Sequence, residues 1–419
     1  MLPLEQGFVL GISAQEAFKT IEAISSQPRY VGADGDEQAI AFIAGKFAEY
    51  GLEVAYDEFD ALAYEPVETV FKITSPFEKS LTAGTMFFGP ASEGVQGELV
   101  FVGNGEEADY EGKDVAGKIA LVETRATAPK GALWHDVNRA GEKGAKGIVF
   151  VHFEPRLQIL MLETGCYGEE KRFKDMEHPI PAISIQVDEW LETVREAAGA
   201  TMEAFIKVDA IQEMRPTRNV RGFVRGTELP EQRVMMVAHR DGVSCPAAND
   251  NGSGQAVIVE LARAFAQAKP KRTVEFVSLG AGEVLGCCGA WRYVEMHKDE
   301  LANIEAVINL DAIGFGGHLR IVTEGSWLDY GPLKTSEWLN EAIRQAADDL
   351  NYHMATTPCP LGAADATPFL ANDVPAAWLW RFDDPYWHTP LDDPMRVDPN
   401  SLKYTAEITG LALLRLANK

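Results

Sequence analysis

The stretch 234–261, VMMVAHRDGVSCPAANDNGSGQAVIVEL, constrains the fold more than any other part of the chain. Val234-Met235-Met236-Val237-Ala238 is a short, unbroken apolar run, the pattern of a strand buried on both faces. His239 and Asp241 stand where that run ends. A turn rich in Cys, Pro and Asn leads to Asp250-Asn251-Gly252-Ser253-Gly254, and a helical apolar pattern then runs from Gln255 to about Ala268. An imidazole at a strand end and a carboxylate at the start of the next helix can converge on one point. That point lies beyond the carboxyl ends of the strands, where open α/β sheets build their sites. Neutral imidazole with carboxylate suits Zn, Mn or Fe better than Ca or Mg. Taken alone, the His-x-Asp pair reads as a solvated loop whose polar residues cap the helix.

The rest of the chain repeats the alternation. Strands are predicted over 220–224, 273–279, 306–310 and 376–380, and helices over 290–297, 335–350 and 400–417. The order implies an α/β fold, a mixed and largely parallel sheet with helices on both faces. Upstream, an amphipathic helix over 13–24 has Ser13 as its N-cap, and a second over 36–50 ends at Gly51. Strands at 52–59 and 67–74 follow. From about residue 85 the chain has strands of its own (98–102, 118–122, 147–151, 182–184) and a helix over 136–143. That is enough for a smaller inserted domain at 85–215, ending at the joint Met214-Arg215-Pro216, with 1–84 and 216–419 forming the main domain. A chain of 419 residues has the length for both.

A net charge of −25 argues against nucleic acid or an acidic membrane surface as partner, because no basic patch stands out against it. The five cysteines are odd in number and form no CxxC pair, which favours reduced thiols. The N-terminus lacks a basic segment followed by a long apolar one, and no unbroken apolar run of about 18 residues exists. These features predict a cytoplasmic protein that acts on a small molecule, with a homo-oligomer admitted.

Further polar residues follow the other predicted strands: Glu283 in GAGEVLGCCGA, Asp311 after Val307-Ile308-Asn309-Leu310, and His388 in DDPYWHTPLDDP. Each alone reads as a turn cap or a packed ring. Together with His239 and Asp250, all at strand ends of one sheet, they read as a metal site plus a base.

The motifs AHRD (238–241), ANDNGSG (248–254), AGEVLGCCG (281–289), NLDAIG (309–314), ADATPF (364–369) and WHTPLDD (387–393) resemble, in order and spacing, those of the M28 metallopeptidases that carry a protease-associated insert. The resemblance implies that His239 and Asp311 bind one metal, with Asp250 as the carboxylate that bridges two. It makes Asp241 the partner that orients His239, Glu283 the general base, and His388 the ligand of the other metal. Ordinary members carry two adjacent Glu residues here, a base and then a ligand, whereas this chain reads Glu283-Val284. The spacing to Gly286 and Gly289 aligns Glu283 with the base and Val284 with the lost ligand. The alternative makes Glu283 the ligand and leaves the base missing at Gly282. Either way one carboxylate is gone, which implies a single divalent ion, Mn or Zn, per subunit.

That loss is similar to the altered site of a family outlier that acts as a 5-nitroanthranilate aminohydrolase. It motivates the expectation of hydrolytic deamination of an aromatic amine, giving 5-nitrosalicylate and ammonia. Arg240, Arg381 and Tyr386, with Trp380 and Trp387, are the candidates to hold such a substrate, and residues 131–136 and 163–172 of the insert are candidates to reach the site. The alternative is an aminopeptidase or small-peptide amidase of the family. A non-catalytic binding protein is the remote third reading.

Overall fold

The computed structural model describes residues 1–86, 89–124, 132–152, 180–243, 246–283, 286–327, 331–359, 364–381 and 384–419. The chain opens with helices α1 (Pro3–Leu10), α2 (Ala14–Ile24) and α3 (Asp34–Glu49). Ser13 caps α2 by accepting the Glu16 N–H at 3.2 Å, and Gly51 closes α3 at a φ of 82°. Next comes β1 (Glu53–Ser75), one strand where the pattern predicted two. Ala61, Ala63 and Tyr64 are buried and carry the extended backbone across the expected break.

The middle of the chain contributes β2 (Lys79–Leu81), β3 (Ala83–Thr85), β4 (Ser92–Phe101), β5 (Ile119–Thr124), α4 (Ala132–Glu142), β6 (Gly147–His152), β7 (Ala182–Gln186), α5 (Val187–Ala197) and β8 (Glu203–Val224). The remainder supplies β9 (Leu229–His239), α6 (Gly252–Phe265), β10 (Arg272–Leu279), α7 (Cys288–Met296), β11 (Ile304–Asp311), β12 (Arg320–Trp327), β13 (Gly331–Lys334), α8 (Glu337–Asp349), β14 (Ala355–Cys359), α9 (Ala366–Leu370), β15 (Ala376–Trp380) and α10 (Pro399–Asn418).

Two compact units result. One takes in Met1–Ala61, Arg215–Trp387 and Asp392–Lys419; the other takes in Leu62–Met214, with the short loop His388–Leu391 grouped by its contacts. The smaller unit therefore begins at Leu62 rather than at residue 85. Met214-Arg215-Pro216 is not a loop, because it lies inside β8, and both β1 and β8 pass a unit boundary as unbroken strands.

In the first unit the strand order is β13-β12-β15-β11-β9-β10-β8. The pairs β15–β11, β11–β9 and β9–β10 are parallel, while β8 and β12 join antiparallel. The sheet is mixed and largely parallel at its centre, as the alternation predicted. Val234–Ala238 lies at that centre without solvent exposure, which is why it reads as a continuous apolar run rather than an alternating one. Helix α6 packs on this strand. Its N-cap Asn251 accepts the Gly254 N–H at 2.9 Å, and Gly254 must lack a side chain because a Cβ there would stand 2.4 Å from Asn251 Oδ1. In the second unit β4, β5, β6 and β7 pair in parallel, β3 adds antiparallel to β7, and the unit has its own apolar core.

Candidate metal centre

Because β9, β10 and β11 are parallel neighbours, their carboxyl ends finish together. His239 is the last residue of β9 and stands in register with Leu279, the last of β10; Asp311 closes β11. Glu283 lies just past the end of β10, and Asp250 just ahead of α6. The four side chains meet at one edge of the sheet, the place the topology favours for a site.

The His239 ring sits at 3% exposure with Nδ1 3.1 Å from the main-chain oxygen of Asp241. A carbonyl can only accept, so Nδ1 carries the hydrogen and Nε2 presents its lone pair. That lone pair faces Asp250 Oδ1 at 3.3 Å, Glu283 Oε2 at 3.4 Å and Asp311 Oδ1 at 3.7 Å. Several acceptors turned on one another in a buried place call for a cation among them. A proton on Nε2 can stand in for that cation: burial pushes the imidazole pKa down, but Asp250, Asp311 and Glu283 around it hold the pKa well above its ordinary value. One ligand atom each from His239, Asp250 and Asp311 lies within 4.8 Å of the others. One nitrogen and two carboxylate oxygens suit a divalent transition metal.

Asp250, Glu283 and His388 form a second such group, also within 4.8 Å, so Asp250 belongs to both. Glu283 thus stands in this second group as well as beside His239. Val284 lies outside the described residues. The turns carrying these groups hold non-glycine residues in the left-handed region: Ala247 (φ 51°), Ala281 (51°), Ala312 (45°) and His388 itself (57°). Such conformations cost energy and cluster where a site dictates the backbone. Gly282 belongs to the same economy of space, since a Cβ there would stand 2.3 Å from His239 Cβ.

The carboxylate of Asp241 does something other than the orienting role expected of it. It is 3.9 Å from Nδ1, and its oxygens accept the main-chain N–H groups of Gly282 (2.7 Å) and Glu283 (3.1 Å). The ring is oriented by the backbone of Asp241, and the Glu283 turn by its side chain. Asp392 does the same on the other side, accepting Asn249 N–H at 2.7 Å and Asp250 N–H at 2.9 Å. Asn249 in turn accepts the N–H groups of Gly314 (2.7 Å) and Phe315 (3.1 Å), just past Asp311, and donates to Asp384. Asp365 is buried with no hydrogen-bond partner for either carboxylate oxygen among the described residues. Burial, opposed by His239 and reinforced by Asp311, Asp241 and Glu283, pushes its pKa up to about 7. Asp365, Asp384 and Asp392 all lie in or beside the motifs, but sequence assigned them no role. Burial, which marks Asp365 and Asp392, is not legible in segments this polar, 382–394 above all.

Two candidate substrate cations are excluded by their surroundings. Arg240 has no exposure: it pairs with Asp36 at 2.6 Å and donates to Arg218 O, Thr217 and Ser278. Arg381 donates to the main-chain oxygens of Ile313, Gly317 and Ser401, and burial lowers its pKa to about 10. Both guanidiniums are consumed holding loops together. The Tyr386 ring has Arg396 over its face at 3.8 Å and Phe315 edge-on at 6.1 Å. Residues 163–172, and Gly131 of the 131–136 segment, lie outside the described residues; the rest of that segment begins α4.

Residues 219–412 match the model of peptidase family M28, and residues 95–192 match the PA domain. The aminopeptidase YwaD of Bacillus subtilis is 24% identical over 98% of this chain and 86% of its own. The aminopeptidase of Aneurinibacillus sp. strain AM-1 superposes with a TM-score of 0.74 at 25% identity, over 99% of this chain and 96% of that one. A zinc aminopeptidase from Bacillus subtilis gives 0.76 at 23% identity, over 97% and 96%. No helix among the described residues is long and apolar enough to cross a membrane.

Proposed function

We propose that the protein is a metal-dependent aminopeptidase that removes the first residue of a peptide or of a small aminoacyl amide. The observation that carries this reading is the buried His239 Nε2 facing Asp250, Asp311 and Glu283 at 3.3–3.7 Å. Similarity along nearly the whole chain to proteins named aminopeptidases supports it. Zinc is the favoured ion, from the nitrogen and carboxylate donors and from the zinc aminopeptidase of the same fold.

His239, Asp250 and Asp311 would hold the ion, which when bound supplies Lewis acidity and lowers the pKa of a water. Glu283 is the proton acceptor: its carboxylate is adjacent to His239, and Asp241 fixes its backbone. The second group, Asp250, Glu283 and His388, would hold an ion only with Glu283 as a ligand; with Glu283 acting as the base and Val284 offering no carboxylate, it is one ligand short. One tightly held ion at the first group is therefore the reading for stoichiometry.

The expected aromatic amine substrate finds no support. Its carboxylate was to be met by Arg240 or Arg381, and both are committed to the fold. A binding-only role is disfavoured by the converging His239, Asp250, Asp311 and Glu283. The test is a side-by-side assay of zinc-loaded protein on leucine p-nitroanilide and on 5-nitroanthranilate. Anilide cleavage without ammonia release from the nitroaromatic supports the reading, and the opposite pair of results overturns it.

A further inference from the structure

Three successive main-chain amides end on one residue. Ala248 N–H donates to the Asp392 main-chain oxygen at 3.0 Å, Asn249 N–H to its Oδ1 at 2.7 Å, and Asp250 N–H to its Oδ2 at 2.9 Å. Asp392 is 2% exposed, so water does not share these bonds. The turn they hold is the one in which Ala247 adopts a positive φ and Asp250 precedes the capped start of α6. A free loop of this composition, CPAAND, has no reason to present Asp250 in one orientation. With its amide and the two before it tied to a single buried residue, it has few alternatives.

We infer that Asp392 is a positioning residue for Asp250: it presets the main chain so that the shared carboxylate faces His239 before any ion arrives. The inference rests on the metal-site part of the proposed function but not on the substrate. Only a carboxylate fits the role. It offers an acceptor oxygen to each of two parallel N–H groups, whereas an amide of the same shape turns an NH₂ against one of them. Supporting groups of this kind typically change metal affinity about 10- to 100-fold when removed.

The test reads zinc binding by competition with a chromogenic chelator, so no substrate enters. Asp392→Asn is expected to weaken zinc binding at least about 10-fold with the circular-dichroism spectrum unchanged. In an Asp250→Asn background the same change should add little, because its effect runs through Asp250. Zinc affinity equal to that of the wild type in Asp392→Asn, or full additivity with Asp250→Asn, overturns the inference. A structural role alone would lower the melting temperature and leave the affinity of the folded protein intact.

Hydrogen exchange on the metal-free wild type keeps the idea testable if the variants do not fold. Amides 248–250 should already be protected without zinc, and fast exchange that slows only on zinc addition contradicts presetting. Tight zinc binding without aminoacyl hydrolysis would sink the proposed activity and leave this inference standing.

Discussion

Asp241 Oδ2 lies 3.1 Å from the main-chain nitrogen of Glu283, and Oδ1 lies 2.7 Å from that of Gly282. The residue that orients His239 through its carbonyl thus also holds the Glu283 turn through its carboxylate, at the ends of two adjacent strands. Asp241→Asn keeps the carbonyl but offers one acceptor where two are needed. We expect kcat to fall about 10- to 100-fold with zinc affinity within a few-fold of wild type. Steady-state kinetics beside a zinc titration check this; an unchanged kcat would mean that the carboxylate is dispensable.

Arg240 is a test of what is not a substrate contact. Replacing it with Ala leaves Asp36 buried without its cation and should cost roughly 3–5 kcal/mol of stability, read as a fall in the urea midpoint. A substrate-binding arginine would instead raise KM with the midpoint unmoved.

A buried network predicts acid sensitivity. Asp57 meets Arg221 at 3.0 Å and His297 at 2.9 Å, and Arg221 also meets Glu275 at 2.7 Å. Burial pushes the Asp57 carboxyl up, but the hydrogen bond to His297 and the charge of Arg221 outweigh it, and its pKa lies below the ordinary value. A carboxyl depressed on folding contributes stability that is present above its unfolded pKa of about 3.9 and lost as pH falls through the lower folded value. Asp57→Asn should therefore lose roughly 1.5–3 kcal/mol near neutral pH and unfold with a shallower dependence on pH below about 4. Denaturant melts of both proteins across that range decide it; parallel curves would place the acid sensitivity elsewhere.

The sheet was legible because its central strands are buried on both faces: Val234–Ala238 has no other reason to be five apolar residues in a row. So was the cluster of His239, Asp250, Glu283 and Asp311, since a polar residue at the end of such a run stands out, and the structure brings these four together. The break expected in β1 was misplaced because Ala61, Ala63 and Tyr64 gain their extended conformation from packing that local pattern does not encode. Charge in the sequence also looked available when it was not. Arg240 and Arg381 sit beside site residues in the chain, and only the fold reveals the carboxylate and carbonyls that consume them. Asp392 and Asp365 were passed over for the converse reason, as burial is what makes a carboxylate in a loop informative.

The central claim is that His239, Asp250 and Asp311 hold an ion beside Glu283 to hydrolyse the bond next to a free amino-terminus. Its most direct test is hydrolysis of leucine p-nitroanilide and of its N-acetyl derivative by chelator-stripped and zinc-restored protein, wild type beside Glu283→Gln. The account predicts cleavage of the free-amine substrate only, lost on stripping, regained with zinc, and reduced about 10²- to 10⁴-fold in Glu283→Gln with zinc still bound. Cleavage by stripped protein, or wild-type rates in Glu283→Gln, would contradict it.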